Sequence, residues 1–248
     1  MIGFNGGLIG QDRTSTPSAA VGVWTPNEQI KARRTATWPS TGFAIVLDGL
    51  VQYLDAGKTA SYPGSGATWT DLSGNGYTAT LVNSPAYSAA NGGVIEFNGT
   101  SHYATSTLPG LTNFTVSAWI KWLSVQGGER QLIATFNDQL GITINSSKFF
   151  VFNGGVITGA QTVAINTWYN WVVTSTSGST KIIINKVDDA TNSAYRAIAA
   201  GATMIGNVSG QSRYLNAQIG AFSVYNKVLS TAEILQNYDA DKVRFGLS

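Results

Sequence analysis

Cysteine is absent from this 248-residue chain, so neither disulfides nor thiolate metal sites can stabilise it. Charged residues are scarce, at 11% of the sequence, compared with roughly 25% in a typical globular protein. No apolar run approaches the roughly 20 residues of a transmembrane helix, and the first residues lack the basic and apolar regions of a signal peptide. We therefore expect no membrane insertion and no secretion signal, and the composition favours a β-rich extracellular or virion protein over a cytosolic enzyme.

Short segments in which apolar and polar residues alternate dominate the chain after residue 42. In residues 114–122, FTVSAWIKW, every second side chain is apolar, as in a half-buried strand. The same pattern predicts further strands at 43–47, 50–55, 78–82, 94–98, 131–136, 140–145, 148–153, 171–176, 180–185, 203–206 and 218–225. Gly, Asn, Asp and Ser separate these segments, as in short antiparallel connections. The sequence thus predicts an all-β fold, a two-sheet antiparallel jelly-roll sandwich.

One short helix is predicted near the C-terminus. Ser230 and Glu233 have the spacing of a capping box, and Ile234, Leu235 and Tyr238 follow as an apolar stripe. We expect this helix to cover an edge of the sandwich.

Residues 1–42 differ from the rest and are predicted to be an extended N-terminal docking arm, joined to a sandwich domain at 43–248. Large apolar residues stand isolated in the arm, in sequence that cannot form its own core. Their burial would have to come from a partner. The arm also carries the whole formal net charge of the chain, +2. The residues expected to make the docking contacts are Phe4, Leu8, Arg13, Trp24, Arg33, Arg34 and Trp38.

Two phrases in the middle of the chain carry a resemblance to a known family. The first contains Trp69, Asp71, Ser73, Gly74, Asn75 and Leu81, and the second contains Phe97, Asn98, Gly99 and Tyr103. Together they resemble the concanavalin A-like lectin and laminin-G-like superfamily over about residues 43–240. This resemblance implies a lectin-like sandwich.

The arm resembles the N-termini of structural proteins of tailed bacteriophages, cyanophages in particular. The resemblance lies in the opening IGFNGGLIG, the element from Gly22 to Gln29, Arg34 and Trp38-Pro39, and the chain end RFGLS is similar too. It implies a protein on the exterior of a virion, made in the host cytoplasm. Its partners would be capsid or tail subunits, and it would be a homo-oligomer.

Glycan binding would use exposed aromatic rings, and the candidates are Trp69, Tyr103 and Trp119. Burial is the alternative for these rings, since Trp is highly buried on average. The lectin resemblance also implies a candidate calcium site. Its loop oxygen donors would be Asp55, Asp71, Asn75 and Asn98. Turn formation through side-chain to backbone hydrogen bonds is the alternative for these four, so no cofactor is required.

No catalytic site is predicted. A glycosidase of this fold needs two carboxylates on one strand face, whereas Asp188 and Asp189 would point to opposite faces of a strand. His102 is the only histidine, and no nucleophile motif accompanies it. The single short basic cluster in the arm falls short of a nucleic-acid-binding surface.

The sequence therefore favours a non-enzymatic phage virion structural protein, either a capsid decoration or a tail- or fibre-associated protein. Its arm would anchor it and its lectin-like domain would project outward. A carbohydrate-binding adhesin for host-surface glycan is the alternative. A glycoside hydrolase is a third hypothesis, which the missing carboxylate pair disfavours.

Overall fold

The computed structural model of the protein describes residues 44–124, 131–208 and 213–248. The predicted docking residues lie outside the described residues: Phe4, Leu8, Arg13, Trp24, Arg33, Arg34 and Trp38.

Sixteen strands and one helix make up the described chain. The strands are β1 (Leu50–Asp55), β2 (Thr68–Trp69), β3 (Ala79–Val82), β4 (Ala86–Ser88), β5 (Val94–Asn98), β6 (Tyr103–Leu108), β7 (Phe114–Trp122), β8 (Gln131–Phe136), β9 (Leu140–Asn145), β10 (Lys148–Asn153), β11 (Val156–Thr162), β12 (Trp168–Thr176), β13 (Ser179–Ile184), β14 (Val187–Asn192), β15 (Gly201–Ile205) and β16 (Asn216–Tyr225). A 3-10 turn at Ala90–Gly92 links β4 to β5, and the helix, α1, is Thr231–Asp241.

The strands form two antiparallel sheets. Sheet 1 has the order β14-β13-β12-β7-β16-β5-β4. The edge of β16 that faces away from β7 pairs with β5 through residues 216–219 and with β1 through residues 221–225. Sheet 2 has the order β11-β10-β9-β8-β15-β6-β3-β2. The two sheets enclose one apolar core, because every second side chain of most strands points inward. The largest fully buried side chains include Trp69, Trp122, Trp171, Phe97, Phe114, Phe136, Phe149 and Phe222.

The predicted all-β sandwich with one C-terminal helix is therefore confirmed, but one predicted strand is wrong. In segment 43–47 the described residues 44–47 are irregular. Side chains provide the hydrogen bonds there: Asn237 Oδ1 accepts from the Val46 amide at 2.7 Å, and the Tyr225 hydroxyl donates to the Val46 carbonyl at 3.1 Å. Strands that the sequence analysis missed are β2, β4, β6, β11 and β14. Several of these are short or rich in Thr, Ser or Asp, which weakens their apolar alternation.

Helix α1 begins with the predicted capping box. Ser230 Oγ accepts from the Glu233 amide at 3.3 Å, and the Glu233 carboxylate accepts from the Ser230 amide at 2.8 Å. The helix packs on the outer face of sheet 1 through Ile234 and Tyr238. Within the described ranges no helix has the length and apolarity to span a membrane. One outer face of the sandwich is thus covered by α1 and the residues after it.

Candidate functional site

The Trp69–Asn75 phrase forms a hydrogen-bonded loop around the Asp71 carboxylate. Oδ1 accepts from the Tyr53 and Ser73 amides at 2.8 and 2.9 Å, and Oδ2 accepts from Ser73 Oγ and the Tyr77 amide at 2.7 and 3.0 Å. These four bonds fill the roughly four acceptor sites of a carboxylate. The role seen for Asp71 is therefore to hold its loop against β1.

Asn75 and Asn98 also organise their own surroundings. Asn75 Nδ2 donates to the carbonyls of Leu50 and Val51 at 3.0 and 2.9 Å. Asn98 Oδ1 accepts from the amides of residues 100, 101 and 102 at 2.9 to 3.1 Å, which fixes the turn between β5 and β6. Such bonds are the usual side-chain to backbone bonds of Asn turns. Asn98 thus holds the His102 amide on this turn, and His102 Nδ1 lies 3.4 Å from the Glu96 carbonyl oxygen.

Asp55 is fully buried and binds the C-terminal segment. Its Oδ1 forms an ion pair with Arg244 at 2.7 Å and accepts from the Gly57 amide at 2.8 Å, and its Oδ2 accepts from the Tyr53 hydroxyl at 2.9 Å. The Arg244 guanidinium also donates to the carbonyls of Asn91 and of residue 93, each at 2.6 Å. These bonds tie the chain end to β1 and to the loop before β5.

Phe245, next to this arginine, fills a socket on the outer face of sheet 1. Its ring stacks on Trp119 with centroids 4.6 Å apart and contacts Trp168 at 4.5 Å. A Cβ on Gly220, below it, would lie 2.4 Å from Phe245 Cζ, so only glycine leaves room for the ring. The sequence analysis used RFGLS only for its resemblance to phage proteins and did not predict that Phe245 anchors the chain end. The only feature of the sequence that could have indicated this role is an aromatic residue directly after an arginine.

Two of the three aromatic rings predicted to bind glycan are not accessible. Trp119 is 3% exposed because Phe245 and Tyr238 cover it, and Trp69 is fully buried in the core between the sheets. Burial, the alternative given for these rings, is what the structure shows, because the chain end covers Trp119 and the opposite sheet covers Trp69. Tyr103 is half-buried on the outer face of sheet 2.

A second carboxylate, Asp241, lies close to the Asp55–Arg244 pair. Burial raises the pKa of Asp241 to about 6, and the negative charge of Asp55 adds to this effect, while Arg244 and Lys58 oppose it. Burial, followed by the charge of Asp55, also raises the pKa of the Tyr53 hydroxyl. The cluster joins the chain end to the sheet beneath α1.

The outer face of sheet 2 differs from that of sheet 1. One row of side chains that crosses it contains no charged residue. Seven outward positions pair directly across seven strands: Thr80, Thr105, Met204, Thr135, Gly141, Phe152 and Val156. We call these residues the open row, in which Thr135 is buried, at 4% exposed, and the other six are half-buried or exposed. Their sequence neighbours, such as Ala104, Val151 and Ile157, lie in the core, which places the row on the opposite side of the sheet.

Phe152 is the most distinctive residue of the open row. Its side chain is 40% exposed, and among the described residues it is the only aromatic in the group of exposed large apolar side chains. Val156, 52% exposed, is its direct partner on β11, and Gly141 is its partner on β9. An exposed ring beside small or aliphatic neighbours offers a flat apolar contact surface. The sequence analysis missed Phe152 because KFFVFN contains three phenylalanines and its pattern did not show which one faces solvent.

Sequence comparison identifies the family. The model of the concanavalin A-like lectin/glucanases superfamily matches residues 97–235, more than half of the chain. The chain belongs to this superfamily. A comparison with curated protein sequences found no match.

Solved structures with the same fold include several binding domains and enzymes. A Trypanosoma rangeli sialidase in complex with sialic acid has a TM-score of 0.61 at 15% identity, covering 79% of this chain and 33% of the sialidase. The botulinum neurotoxin type G receptor binding domain has a TM-score of 0.61 at 15% identity, covering 77% and 51%. Domain 4 of AbnA, a GH43 extracellular arabinanase from Geobacillus stearothermophilus, in complex with arabinotriose, has a TM-score of 0.59 at 14% identity, covering 77% and 98%. This superfamily member thus spans about a third of the sialidase and nearly all of the arabinanase domain, and at these identities the likeness concerns the fold.

Asp188 and Asp189, the neighbouring carboxylates of this superfamily member, have different partners. Asp188 forms an exposed ion pair with Lys181 at 3.0 Å, whereas Asp189 Oδ1 accepts from the Gln161 amide of β11 at 2.8 Å. Within the described ranges, no group of three or more Asp, Glu or His residues could hold a metal ion. Asp71 and Asn75 share one hydrogen-bond set through Ser73 Oγ, whereas Asp55 pairs with Arg244 and Asn98 holds the turn between β5 and β6.

Proposed function

We propose that the sandwich is a non-enzymatic carbohydrate-binding module and that residues 1–42 attach it to the exterior of a phage virion. The observation that carries the first part is the exposed Phe152 of the open row, beside the exposed Val156. Membership of a lectin superfamily supports it, as does the likeness in fold to an arabinanase domain in complex with arabinotriose.

The open row offers the two kinds of contact that a sugar needs. The Phe152 ring presents an apolar face to the C–H groups of a pyranose or furanose ring. The half-buried Thr105 and the exposed Thr80 and Thr158 carry hydroxyls that donate and accept hydrogen bonds on the same face. Rigid strands hold all of these groups, so little conformational entropy is lost on binding.

Hydrolysis is not part of the proposal, because the open row contains no carboxylate and several described carboxylates are engaged elsewhere. Glu96 accepts from Gln218 Nε2 at 2.8 Å, and Glu233 binds Lys227 at 2.7 Å. Asp55 and Asp241 face Arg244 beneath the chain end. A glycosidase would need two carboxylates on either side of a bound sugar, and the open row contains none.

Glycan-array screening of the full chain, followed by calorimetry on the strongest ligand, tests the carbohydrate proposal. Phe152→Ala should weaken binding about tenfold, whereas Ile165→Ala should leave it unchanged, although Ile165 is also exposed, at 51%. We expect EDTA to have no effect, because the loop oxygens of Asp71 and Asn98 already accept hydrogen bonds from the protein. Loss of binding in EDTA, restored by calcium, would show instead that these loops hold a calcium ion.

The virion part of the proposal rests on the arm, where Trp24 and Trp38 stand isolated in sequence that is predicted not to form its own core. Full burial of each large apolar side chain is worth roughly 1.5–3 kcal/mol, which capsid or tail subunits would have to supply. Arg13, Arg33 and Arg34 would then pair with carboxylates on those subunits and fix the orientation. Homo-oligomers would strengthen both attachment and glycan binding through multivalency.

Incorporation into virions that lack the native protein tests the role of the arm. Deletion of residues 1–42 should abolish incorporation, and Trp24→Ala with Trp38→Ala should reduce it, while glycan binding by the purified protein stays unchanged. Full occupancy of virions by the truncated chain would contradict the proposal and place the docking surface on the sandwich.

A further inference from the structure

We infer that a cavity between α1 and sheet 1 binds one monovalent cation, Na⁺ or K⁺, between the Asp241 carboxylate and the hydroxyl groups of Ser117 and Ser223. The site lies on the other sheet from the open row and is independent of the proposed carbohydrate binding. A cation bound there would fasten α1 to the sandwich.

The cavity lies on the outer face of sheet 1, beneath α1. Its volume is about 20 Å³, and roughly 10–15 Å³ is enough to hold one water molecule. Dehydrated Na⁺ and K⁺ are no larger than a water molecule. The cavity therefore has room for one such ion and for little else.

Three hydroxyl-bearing residues form the floor of the cavity. Tyr53, Ser223 and Ser117 are direct neighbours across β1, β16 and β7. Ser117 is 7% exposed and Ser223 is 8% exposed. Ser117 Oγ accepts from Asn170 Nδ2 at 3.3 Å, and Ser223 shares a hydrogen bond with the Tyr225 hydroxyl. A hydroxyl oxygen has two lone pairs, so each serine keeps at least one for a further ligand.

Asn237 and Asp241 line the cavity from above, one helical turn apart on α1. The Asp241 side chain is only 13% exposed. Within the described ranges no N–H or O–H group donates a hydrogen bond to it, and the only cationic group within 4 Å is the Arg244 guanidinium, at 3.9 Å. A nearly buried charge without close partners costs free energy. The position therefore favours a positive charge in the cavity.

The ion pairs around the cavity leave the charge of Asp241 uncompensated. Arg244 is held by Asp55 at 2.7 Å, and Lys242 pairs with Asp239 at 2.9 Å. Two carboxylates, Asp55 and Asp241, thus share one guanidinium, which leaves a net charge of −1 on this group of three. Burial raises the pKa of Asp241 to about 6, so this charge is present at pH 7.5.

The other charges near α1 do not cancel it either. Lys58 is exposed, and Lys186 Nζ lies over the Tyr238 ring at 4.8 Å. Neither lysine lines the cavity. The C-terminal end of α1 adds partial negative charge at the same place. A single monovalent cation would match the charge that remains.

The available ligands favour a monovalent ion over a divalent one. Five oxygen-bearing side chains line the cavity, and only one of them, Asp241, is a carboxylate. Ca²⁺ takes six to eight oxygen ligands, and its affinity depends on how many of them are charged. One carboxylate with neutral hydroxyl and amide oxygens suits Na⁺ or K⁺ better.

NMR on the ¹⁵N-labelled full chain at pH 7.5 tests the site. NaCl or KCl replaces tetramethylammonium chloride at constant ionic strength, so that screening stays the same while only Na⁺ and K⁺ are small enough to enter. We expect the amide signals of Ser117, Ser223 and Asp241 to shift and to saturate with one dissociation constant.

Urea unfolding in the same salts measures the linked gain in stability. A cation at ten times its dissociation constant should raise the folding equilibrium constant about tenfold over tetramethylammonium. In tetramethylammonium alone, the wild type should carry the full cost of the Asp241 charge.

Variants of the lining residues test where the ion lies. Asp241→Asn should remove both the saturable shifts and the gain in stability. Ser117→Ala and, separately, Ser223→Ala should each raise the dissociation constant about fivefold, roughly the loss of one polar contact. Asp239→Asn is the matched control, because it removes a charge from the same helix outside the cavity, and it should change the dissociation constant less than about twofold.

Each other outcome contradicts the inference. Identical spectra and unfolding midpoints in all three salts would mean that water alone fills the cavity. A cation effect that both serine variants leave unchanged would place the ion outside the cavity. Tighter binding of Ca²⁺ than of Na⁺ and K⁺ would show a divalent site. Glycan-array results bear only on the open row, so the two proposals can fail separately.

Discussion

Asp241 offers a test of the buried cluster at the chain end, because its carboxyl group costs the folded state free energy when it ionises. Its pKa rises from 3.8 to about 6 on folding, mainly through burial. It also lies at the C-terminal end of α1, where a negative charge is unfavourable. The penalty is absent below pH 3.8, grows between the two pKa values and is complete above about pH 6. Stability should therefore fall as the pH rises through this window.

The expected magnitude follows from the shift. About two pKa units at 1.36 kcal/mol each give roughly 3 kcal/mol as the full penalty at pH 7.5. Asp241→Asn removes the charge but keeps the shape, so it should raise the free energy of unfolding by up to that amount. The long ion-pair distance of 3.9 Å to Arg244 means that little favourable interaction is lost.

Urea unfolding at pH 4.0, 5.0, 6.0 and 7.5 measures this effect. The gap between Asp241→Asn and the wild type should be small at pH 4.0 and largest at pH 7.5. Asp188→Asn, at an exposed ion pair, is the control and should show no such trend. A variant less stable than the wild type at pH 7.5 would falsify the reasoning, because it would mean that the charged form of Asp241 stabilises the fold.

Three further changes test the anchored chain end and the motif loop. Phe245→Ala should lower stability by about 3–5 kcal/mol in urea unfolding, as it empties the socket on Trp119, and no loss would mean that the ring is dispensable. Gly220→Ala should cost about 1–3 kcal/mol, since its methyl group would collide with the Phe245 ring; a double variant with Phe245→Ala should cost less than the sum of the two. Asp71→Asn should cost about 1–3 kcal/mol, because the amide nitrogen cannot accept from the Tyr77 amide or Ser73 Oγ, and unchanged unfolding midpoints would contradict the role given to this carboxylate.

The lectin-like phrases supplied most of the residues of the candidate calcium site, but in the structure these residues have local hydrogen-bonding roles. Asp71, Asn75 and Asn98 belong to those phrases, yet in the described structure they make turns and clamp β1. Turn formation and ligand binding use the same oxygen donors, so the residue types alone leave both open. The open row has no such motif, because its seven residues come from seven separate strands.

Local pattern in the sequence was enough to predict most of the strands and the capped helix. The alternation in FTVSAWIKW and the Ser230–Glu233 spacing act over a few residues, and the pleat of a strand and the first turn of a helix are decided at that range. Only the tertiary structure decided which rings face solvent. Trp119 is covered by Phe245, 126 positions later in the chain, and Phe152 is exposed on the sheet face where the described residues form no helix. Exposure depends on what packs against a residue from distant parts of the chain, and no local pattern contains that information.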